Sequence, residues 1–139
     1  MIFERMEAKH HAQALRLWQE CEGVGLSQDD SFEGLCRFLE RNPGLSFVAV
    51  VDGAVVGTIV CGHDGRRGFI HHLAVALNHR RRGLGRALVE RAVTALRTAS
   101  IRKCHLFVFR ASAAGRAFWE SIGAEDRDTL AMFSITTAE

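Results

Sequence analysis

The strongest chemical signal in the sequence is a glycine-rich turn, in which Gly83 and Gly85 open a segment with helical periodicity. Glycines let a ligand approach the backbone closely, and the unpaired N–H groups and positive dipole end at a helix start bind phosphate. Three arginines, from Arg80 to Arg82, precede the glycines, and Arg86 follows them. Two glycines at this spacing are a weak motif alone, because a simple turn also explains them. The support for a phosphate site must therefore come from its surroundings.

The spacing disfavours the common nucleotide-binding motifs. No third glycine follows Gly85 at the dinucleotide-binding spacing, and the G-K-[ST] of a P-loop is missing. No aromatic residues interleave with the arginines, as the stacking platforms of a nucleic-acid-binding surface would. We therefore expect an anionic ligand bound locally at this turn, and no nucleic acid.

Two adjacent histidines, His71 and His72, lie on the strand predicted before the turn. Histidine accepts protons near neutral pH, so either is a candidate general base. Strand alternation predicts that His71 shares a face with Leu73 and Val75 and that His72 points the other way. Only one of the two then faces a substrate, and a histidine satisfied within the sheet would explain either.

The elements that must position these residues form an α/β pattern. The residue pairs Asp52-Gly53 and Gly83-x-Gly85 mark a hairpin turn and a helix start. The periodicities predict strands at residues 2–5, 46–51, 54–61, 69–75, 104–109 and 130–136, and helices at residues 8–22, 32–41, 84–99 and 113–121.

Bulk composition predicts a single globular domain over residues 1–139, because 47% of the residues are hydrophobic and 24% are charged. Apolar runs are short, and the N-terminus lacks the layout of a secretory signal, so we expect a cytoplasmic protein without membrane contact. The cysteines form no C-x-x-C pair, which predicts buried free thiols, no catalytic cysteine and no bound metal. They are Cys21, Cys36, Cys61 and Cys104.

Residues 80–85 fit the pattern [QR]-x-x-G-x-[GA], the signature of the GNAT superfamily of N-acetyltransferases, which the chain resembles. The resemblance covers almost the whole sequence, from the first strand and helix pair to residues 117–124, which are similar to the family's A-x-x-L-Y-E-x-x-G-F. The chain is most similar to compact bacterial acetyltransferases of the YpeA and RimI-like kind, in which a turn such as residues 64–68 precedes the signature strand. The resemblance implies an α/β fold with a mixed, mostly antiparallel sheet of six to seven strands flanked by about four helices.

The resemblance also implies acetyl-CoA as co-substrate and no metal. Backbone groups of Leu73 and Val75 would pair with the pantetheine arm, and N–H groups of residues 81–86 would surround the pyrophosphate, with arginine side chains on the remaining phosphates. The implied cofactor-binding residues are Leu73, Ala74, Val75, Arg80, Arg81, Arg82, Gly83, Leu84, Gly85, Arg86, Ser112 and Trp119.

In the family's reaction an amine attacks the thioester directly. His71 stands where relatives carry a glutamate or histidine base, and His72 is the second candidate. The family's tyrosine acid is replaced by Trp119, and its cofactor-binding asparagine by Ser112, in a chain that contains no tyrosine. An indole is a poor proton donor. Water or Ser112 would then protonate the thiolate, or activity is reduced.

Two functions remain open at this point. The first is transfer of an acetyl group to a primary amine of a small molecule, an amino acid or a protein N-terminus. The alternative is an acyl-CoA-binding regulatory module with little or no turnover. The protein would be a monomer or homodimer, and the acceptor would be selected by the first two helices and the loop at residues 23–30. Acidic residues there, including Asp29 and Asp30, either attract a cationic amine or cap helices.

Overall fold

The computed structural model describes residues 1–138, in two compact units, Met1–Phe107 and a shorter unit that begins at Val108. The strands are β1 (Ile2–Arg5), β2 (Phe47–Val51), β3 (Ala54–His63), β4 (Gly68–Val75) and β5 (Cys104–Leu106). The helices are α1 (His11–Glu20), α2 (Phe32–Arg41), α3 (Leu84–Thr98) and α4 (Ala113–Ser121). Short 3₁₀ turns lie at Ala8–His10, Gln28–Asp30 and Leu77–His79. The single-domain expectation stays a prediction.

The five strands form one mixed sheet in the order β1-β2-β3-β4-β5. The first three pairings are antiparallel, and β4 pairs with β5 in parallel. The predicted hairpin is confirmed: Asp52 and Gly53 both have positive φ, 49° and 78°, as a two-residue turn between twisted strands requires. The α/β class and the four α-helices agree with expectation.

The expected number of strands, six to seven, is wrong, because residues 130–136 form no strand. Apolar residues in this segment suggest a strand, but they lie exposed, Leu130 at 63% and Phe133 at 93%. A strand needs a hydrogen-bonding neighbour and a covered face. The described residues give this segment neither. The predicted strand at 104–109 is also shorter and ends at Leu106.

Helices cover both faces of the sheet in the first unit. Val48 packs in a buried cluster with Leu17 and Trp18 of α1. Its neighbour Ala49 packs with Leu84 of α3. Because successive strand residues point to opposite faces, α1 and α3 lie on opposite sides of the sheet. None of the helices in residues 1–138 is long and apolar enough to cross a membrane.

All four cysteines are free, as predicted, but the expectation that all are buried is wrong, because Cys36 and Cys104 are partly exposed. Cys61 is fully buried within β3. Burial first, and the nearby Cys104 second, raise the pKa of the Cys61 thiol to about 12. At about pH 8 only ~10⁻⁴ of the Cys61 thiol is then ionised, and the thiolate is the reactive form.

We expect iodoacetamide at about pH 8 to leave Cys61 unmodified in the folded protein and to label it in urea, as peptide mass spectrometry would show. The partly exposed Cys36 serves as the internal control and should react first. Labelling of Cys61 at the rate of Cys36 under native conditions would contradict the assignment of an inert, buried thiol.

Candidate active site

The glycine-rich turn leaves a set of unpaired backbone N–H groups at the start of α3. Gly83 is the N-cap residue with φ 77°, and Arg81 also adopts a left-handed conformation with φ 63°. The first helical hydrogen bond runs from the Ala87 N–H to the Gly83 carbonyl, at 3.0 Å. Within the described residues, the N–H groups of residues 81–86 donate no hydrogen bond. Unpaired amides around left-handed residues at a helix N-terminus suit a pyrophosphate.

The arginine side chains of the turn divide into two sets. The Arg80 Nε donates to the Val75 carbonyl at 2.9 Å, and its guanidinium lies 3.7 Å from the Cys21 sulfur. Arg80 therefore fastens the turn to the end of β4. Arg81 and Arg82 are exposed, so their charges are available to an anion beside the turn.

Strand β4 has an open edge that leads to the turn. Within residues 1–138, β5 pairs with β4 only from Gly68 to Ile70. From residue 71 to residue 75, β4 pairs with β3 alone, so its other edge can accept a ligand that binds as an extra strand. Leu73, Ala74 and Val75 lie on this stretch.

A β-bulge at the middle of β4 changes the faces that sequence alternation predicts. Val60 pairs with His71 and Thr58 with Ala74, so that two residues of β4 oppose Ile59. His72 occupies the bulge with φ 45°.

The predicted placement of the two histidines is wrong because of this bulge. The His71 ring lies 6.0 Å from the Phe38 ring of α2, and the His72 ring lies 4.7 Å from the Trp18 ring of α1. Val75 instead packs against the α3 cluster. Both histidines thus lie on the side of α1 and α2, and His71 does not share a face with Val75.

His72 is held by polar contacts on its ring and on its backbone. Its Nε2 lies 2.6 Å from Oδ1 of Asp30, and each side chain is only 16% exposed. The hydroxyl of the fully buried Thr58 donates to the His72 carbonyl at 2.9 Å and accepts from the Trp18 indole N–H at 2.8 Å. The left-handed backbone of a histidine is uncommon and costs about 1–3 kcal/mol, so the surroundings must enforce it.

Asp30 is itself fixed from two further directions. Its Oδ2 accepts from the Ser27 N–H at 2.9 Å, and its carbonyl oxygen lies 2.8 Å from His11 Nε2. The sequence predicts Asp30 either as a helix cap or as a residue that attracts a cationic amine, and Asp30 does cap the 3₁₀ turn with Ser27. Its contact with His72, 42 positions away, has no signal in the sequence, because it depends on how the loop between α1 and α2 folds over β4.

His71 has no hydrogen-bond partner among the described residues, and its pKa lies below its ordinary value. Burial is the largest cause, the neighbouring His72 adds to it, and Asp30 acts against both. The neutral ring is therefore favoured at neutral pH.

The lowered pKa of His71 predicts how stability depends on pH. The unfolded chain binds this proton more readily, so the contribution of His71 is complete above its unfolded pKa of about 6.5 and is lost as pH falls below it. We expect urea titrations of wild type and His71→Asn to diverge between about pH 8 and pH 5.5, with wild type losing more stability. A difference that stays constant over this range would contradict the shift.

Ser112 and Trp119 lie in the second unit. Ser112 caps α4, and its Oγ accepts from the Gly115 N–H at 3.1 Å, which leaves the hydroxyl hydrogen to another acceptor. Trp119 is half-buried within α4 and stands edge-on to Phe118, with ring centroids 5.2 Å apart.

Comparisons with known proteins identify the family of this chain. The profile of the acetyltransferase (GNAT) family matches residues 11–124. An acetyltransferase of Yersinia enterocolitica is 30% identical over 118 residues, which are 85% of this chain and 83% of the relative.

Two solved structures share the fold. The ribosomal-protein-alanine N-acetyltransferase of Brucella melitensis superposes with a TM-score of 0.72 at 21% identity and 97% coverage of both chains. The PaiA N-acetyltransferase of Thermoplasma acidophilum, in complex with coenzyme A, has a TM-score of 0.74 at 16% identity, over 88% of this chain and 87% of that one.

Fold and turn together define an N-acetyltransferase, an enzyme that transfers acetyl groups to amines. The chain belongs to the GNAT acetyltransferase family, which uses acetyl-CoA, and the resemblance stated from the sequence is confirmed.

Proposed function

We propose that the protein transfers the acetyl group of acetyl-CoA to the primary amine of an acceptor by direct attack, with the cofactor's pyrophosphate in the turn at residues 80–86. The observation that carries this proposal is the set of unbonded amides around Arg81 and Gly83 at the N-terminus of α3. A diphosphate needs several convergent donors and nearby positive charge, and this turn offers both.

The remaining cofactor contacts follow from the edge of β4. We place the pantetheine arm beside Leu73, Ala74 and Val75, where β4 has no second neighbour in the described residues. The Val75 carbonyl already accepts from Arg80, so the Leu73 backbone and the Val75 N–H carry more of this pairing. The amides of Leu84 and Gly85 belong to the pyrophosphate site. The exposed side chains of Arg81, Arg82 and Arg86 bind the outer phosphates. Ser112 and Trp119 are assigned as cofactor contacts from the family pattern.

The reaction needs a base for the acceptor. An alkyl ammonium has a pKa near 10.4, so a base positioned beside it raises the rate by about 10²-fold or more. His71 and His72, together at the β4 bulge, are the candidates. The leaving thiol has a pKa near 8.5 and departs readily, so water or the Ser112 hydroxyl is sufficient to protonate it. Trp119 takes no part in that proton transfer.

The acceptor belongs to the primary amines, either of a small molecule or amino acid or at a protein N-terminus. The Brucella structure is that of a ribosomal-protein-alanine N-acetyltransferase, which supports including peptides with a free N-terminal amine among the candidates. We assign the protein to the cytoplasm, since free thiols persist in a reducing compartment and all four of its cysteines are free.

An acceptor screen tests this function. Purified protein would be incubated with acetyl-CoA and a panel of small amines, amino acids and peptides with different first residues. Acetylated products would be followed by mass spectrometry, because thiol reagents would also react with the protein's cysteines. We expect acceptor-dependent product for one class of amine. Absence of product across the whole panel would refute the proposal.

Trp119 at the position of the family's tyrosine favours a second candidate, an acyl-CoA-binding module that has lost turnover. Calorimetry separates the two functions. Tight acetyl-CoA binding without acceptor-dependent product would support the binding module, whereas binding together with product would exclude it.

A further inference from the structure

We propose that Asp30 is a positioning residue that holds His72 as the proton acceptor for the attacking amine. The inference rests on the proposed acetyl transfer and adds two things to it: it selects His72 over His71, and it gives a role to the loop between α1 and α2. The distance of 2.6 Å between His72 Nε2 and Asp30 Oδ1 is its first support.

The contact with Asp30 determines which ring nitrogen can take a proton. A carboxylate only accepts hydrogen bonds, so Nε2 of the neutral ring carries the hydrogen, and Nδ1 keeps its lone pair. Nδ1 has no hydrogen-bond partner in the described residues. Among those residues no fully buried side-chain nitrogen or oxygen lacks a partner, so Nδ1 keeps some exposed surface. The accessible nitrogen is thus the basic one.

Asp30 also supplies the charge that a proton acceptor needs. When Nδ1 takes the proton the ring becomes an imidazolium, and a carboxylate in contact, with both groups 16% exposed, stabilises that cation. Other titratable groups around His72 are His71 on the same strand and His11 of α1, which bonds to the Asp30 carbonyl. Asp30 is the anion among them.

His71 lacks this arrangement. Its ring meets the apolar edge of Phe38, and neither of its nitrogens has a partner in residues 1–138. No carboxylate selects its tautomer or fixes its ring. His72, by contrast, is fixed by Asp30, by the Trp18 ring and through its own carbonyl by Thr58.

Acetyl transfer removes two protons from the acceptor nitrogen and adds one to the leaving sulfur. The acceptor ammonium gives one proton to His72 Nδ1, and its freed electron pair forms the C–N bond at the thioester carbonyl. The C–S bond breaks with its electrons on sulfur, the new amide nitrogen loses its second proton to water, and the thiolate takes one proton from water. The imidazolium then returns its proton to solvent.

Matched substitutions test the choice of histidine. Asparagine tolerates the left-handed backbone of His72, so His72→Asn and His71→Asn are comparable. We expect His72→Asn to lower kcat about 100-fold, with the KM for acetyl-CoA within about 2-fold, and His71→Asn to lower kcat less than about 5-fold. A larger loss in His71→Asn than in His72→Asn would overturn the proposal.

Asp30→Asn tests the positioning role, with Asp29→Asn as control. Asp29 lies in the same 3₁₀ turn and loses the same charge, but within residues 1–138 its side chain hydrogen-bonds to Ser27 alone. We expect Asp30→Asn to lower kcat about 10-fold, with the KM for acetyl-CoA within about 2-fold, because the His72 ring loses the contact that fixes its tautomer. Asp29→Asn should change neither. Equal effects of the two variants would refute the role of Asp30.

A measurement without turnover separates this inference from the proposed function. Nitrogen-15 NMR of the His72 ring should show hydrogen on Nε2 in wild type and in Asp29→Asn, and loss of that preference in Asp30→Asn. If no amine is acetylated, acetyl transfer fails, and the base role fails with it. The ring signal still decides whether Asp30 fixes His72, and an unchanged tautomer in Asp30→Asn would rule this out.

Discussion

Replacing Gly83 with valine is expected to abolish acetyl-CoA binding, with affinity reduced at least about 100-fold, or about 2.7 kcal/mol. Gly83 is the N-cap of α3 with φ 77°, a region that a β-branched residue occupies only with strain. Relief of the strain turns the amides of residues 81–86 away from their common centre, and the new side chain projects where the phosphates approach. Calorimetric titration with acetyl-CoA measures the loss.

Gly53→Val is the matched control for this substitution. Gly53 has nearly the same backbone, φ 78°, and both positions have open space where a Cβ would stand. The control therefore imposes the same strain in the hairpin between β2 and β3, away from the turn. We expect it to lower stability and leave acetyl-CoA affinity within about 2-fold. Equal affinities of the two variants would show that Gly83 has no special part in the cofactor site.

Gly34→Ala is expected to reduce both stability and activity, although alanine normally favours a helix. Gly34 lies in the first turn of α2, where a Cβ would overlap the Asp29 carbonyl oxygen and lie 2.8 Å from its carbon. The Asp29 carbonyl is backbone and cannot rotate away as a side chain can. Helix α2 and the 3₁₀ turn at Gln28–Asp30 must therefore separate, which moves Asp30 away from His72. We expect a cost of about 1–3 kcal/mol, a Tm lower by about 3–10 °C and turnover reduced about 10-fold.

Gly23→Ala provides the control in the same connection between α1 and α2. Its Cβ would meet no atom within 4 Å, so the substitution should leave Tm and turnover near wild type. Thermal unfolding and steady-state kinetics of the two variants are compared. A gain in stability in Gly34→Ala, as for an ordinary helical glycine, would contradict the close approach described here.

Local patterns were sufficient to predict most of the fold. The hairpin turn at Asp52-Gly53 and the helix that opens at Gly83 depend on neighbouring residues only, and both are present. Helix α1 begins later than expected, because residues 8–10 form a 3₁₀ turn first. The strand at residues 130–136 failed for the opposite reason, since a strand depends on a neighbour that its own sequence does not contain.

The glycine-rich turn of the candidate site was predictable from the sequence, but the arrangement of the two histidines was not. Residues 80–85 carry their motif in the sequence, so the proposed phosphate site follows from a local pattern. The bulge at His72 comes from the register between β3 and β4, and it reverses the alternation on which the choice of His71 depended. The pairing with Asp30 comes from tertiary packing and has no local signature.

The hydrogen-bonded chain from Trp18 through Thr58 to His72 limits how the enzyme can be engineered. Thr58 uses its hydroxyl twice, so valine of equal shape would leave the Trp18 N–H and the His72 carbonyl unpaired, at about 1–3 kcal/mol each. Trp18 is also among the largest fully buried side chains. Repacking this core for thermostability would therefore also change the geometry of His72, the proposed base, so stability and catalytic rate are expected to change together at these positions.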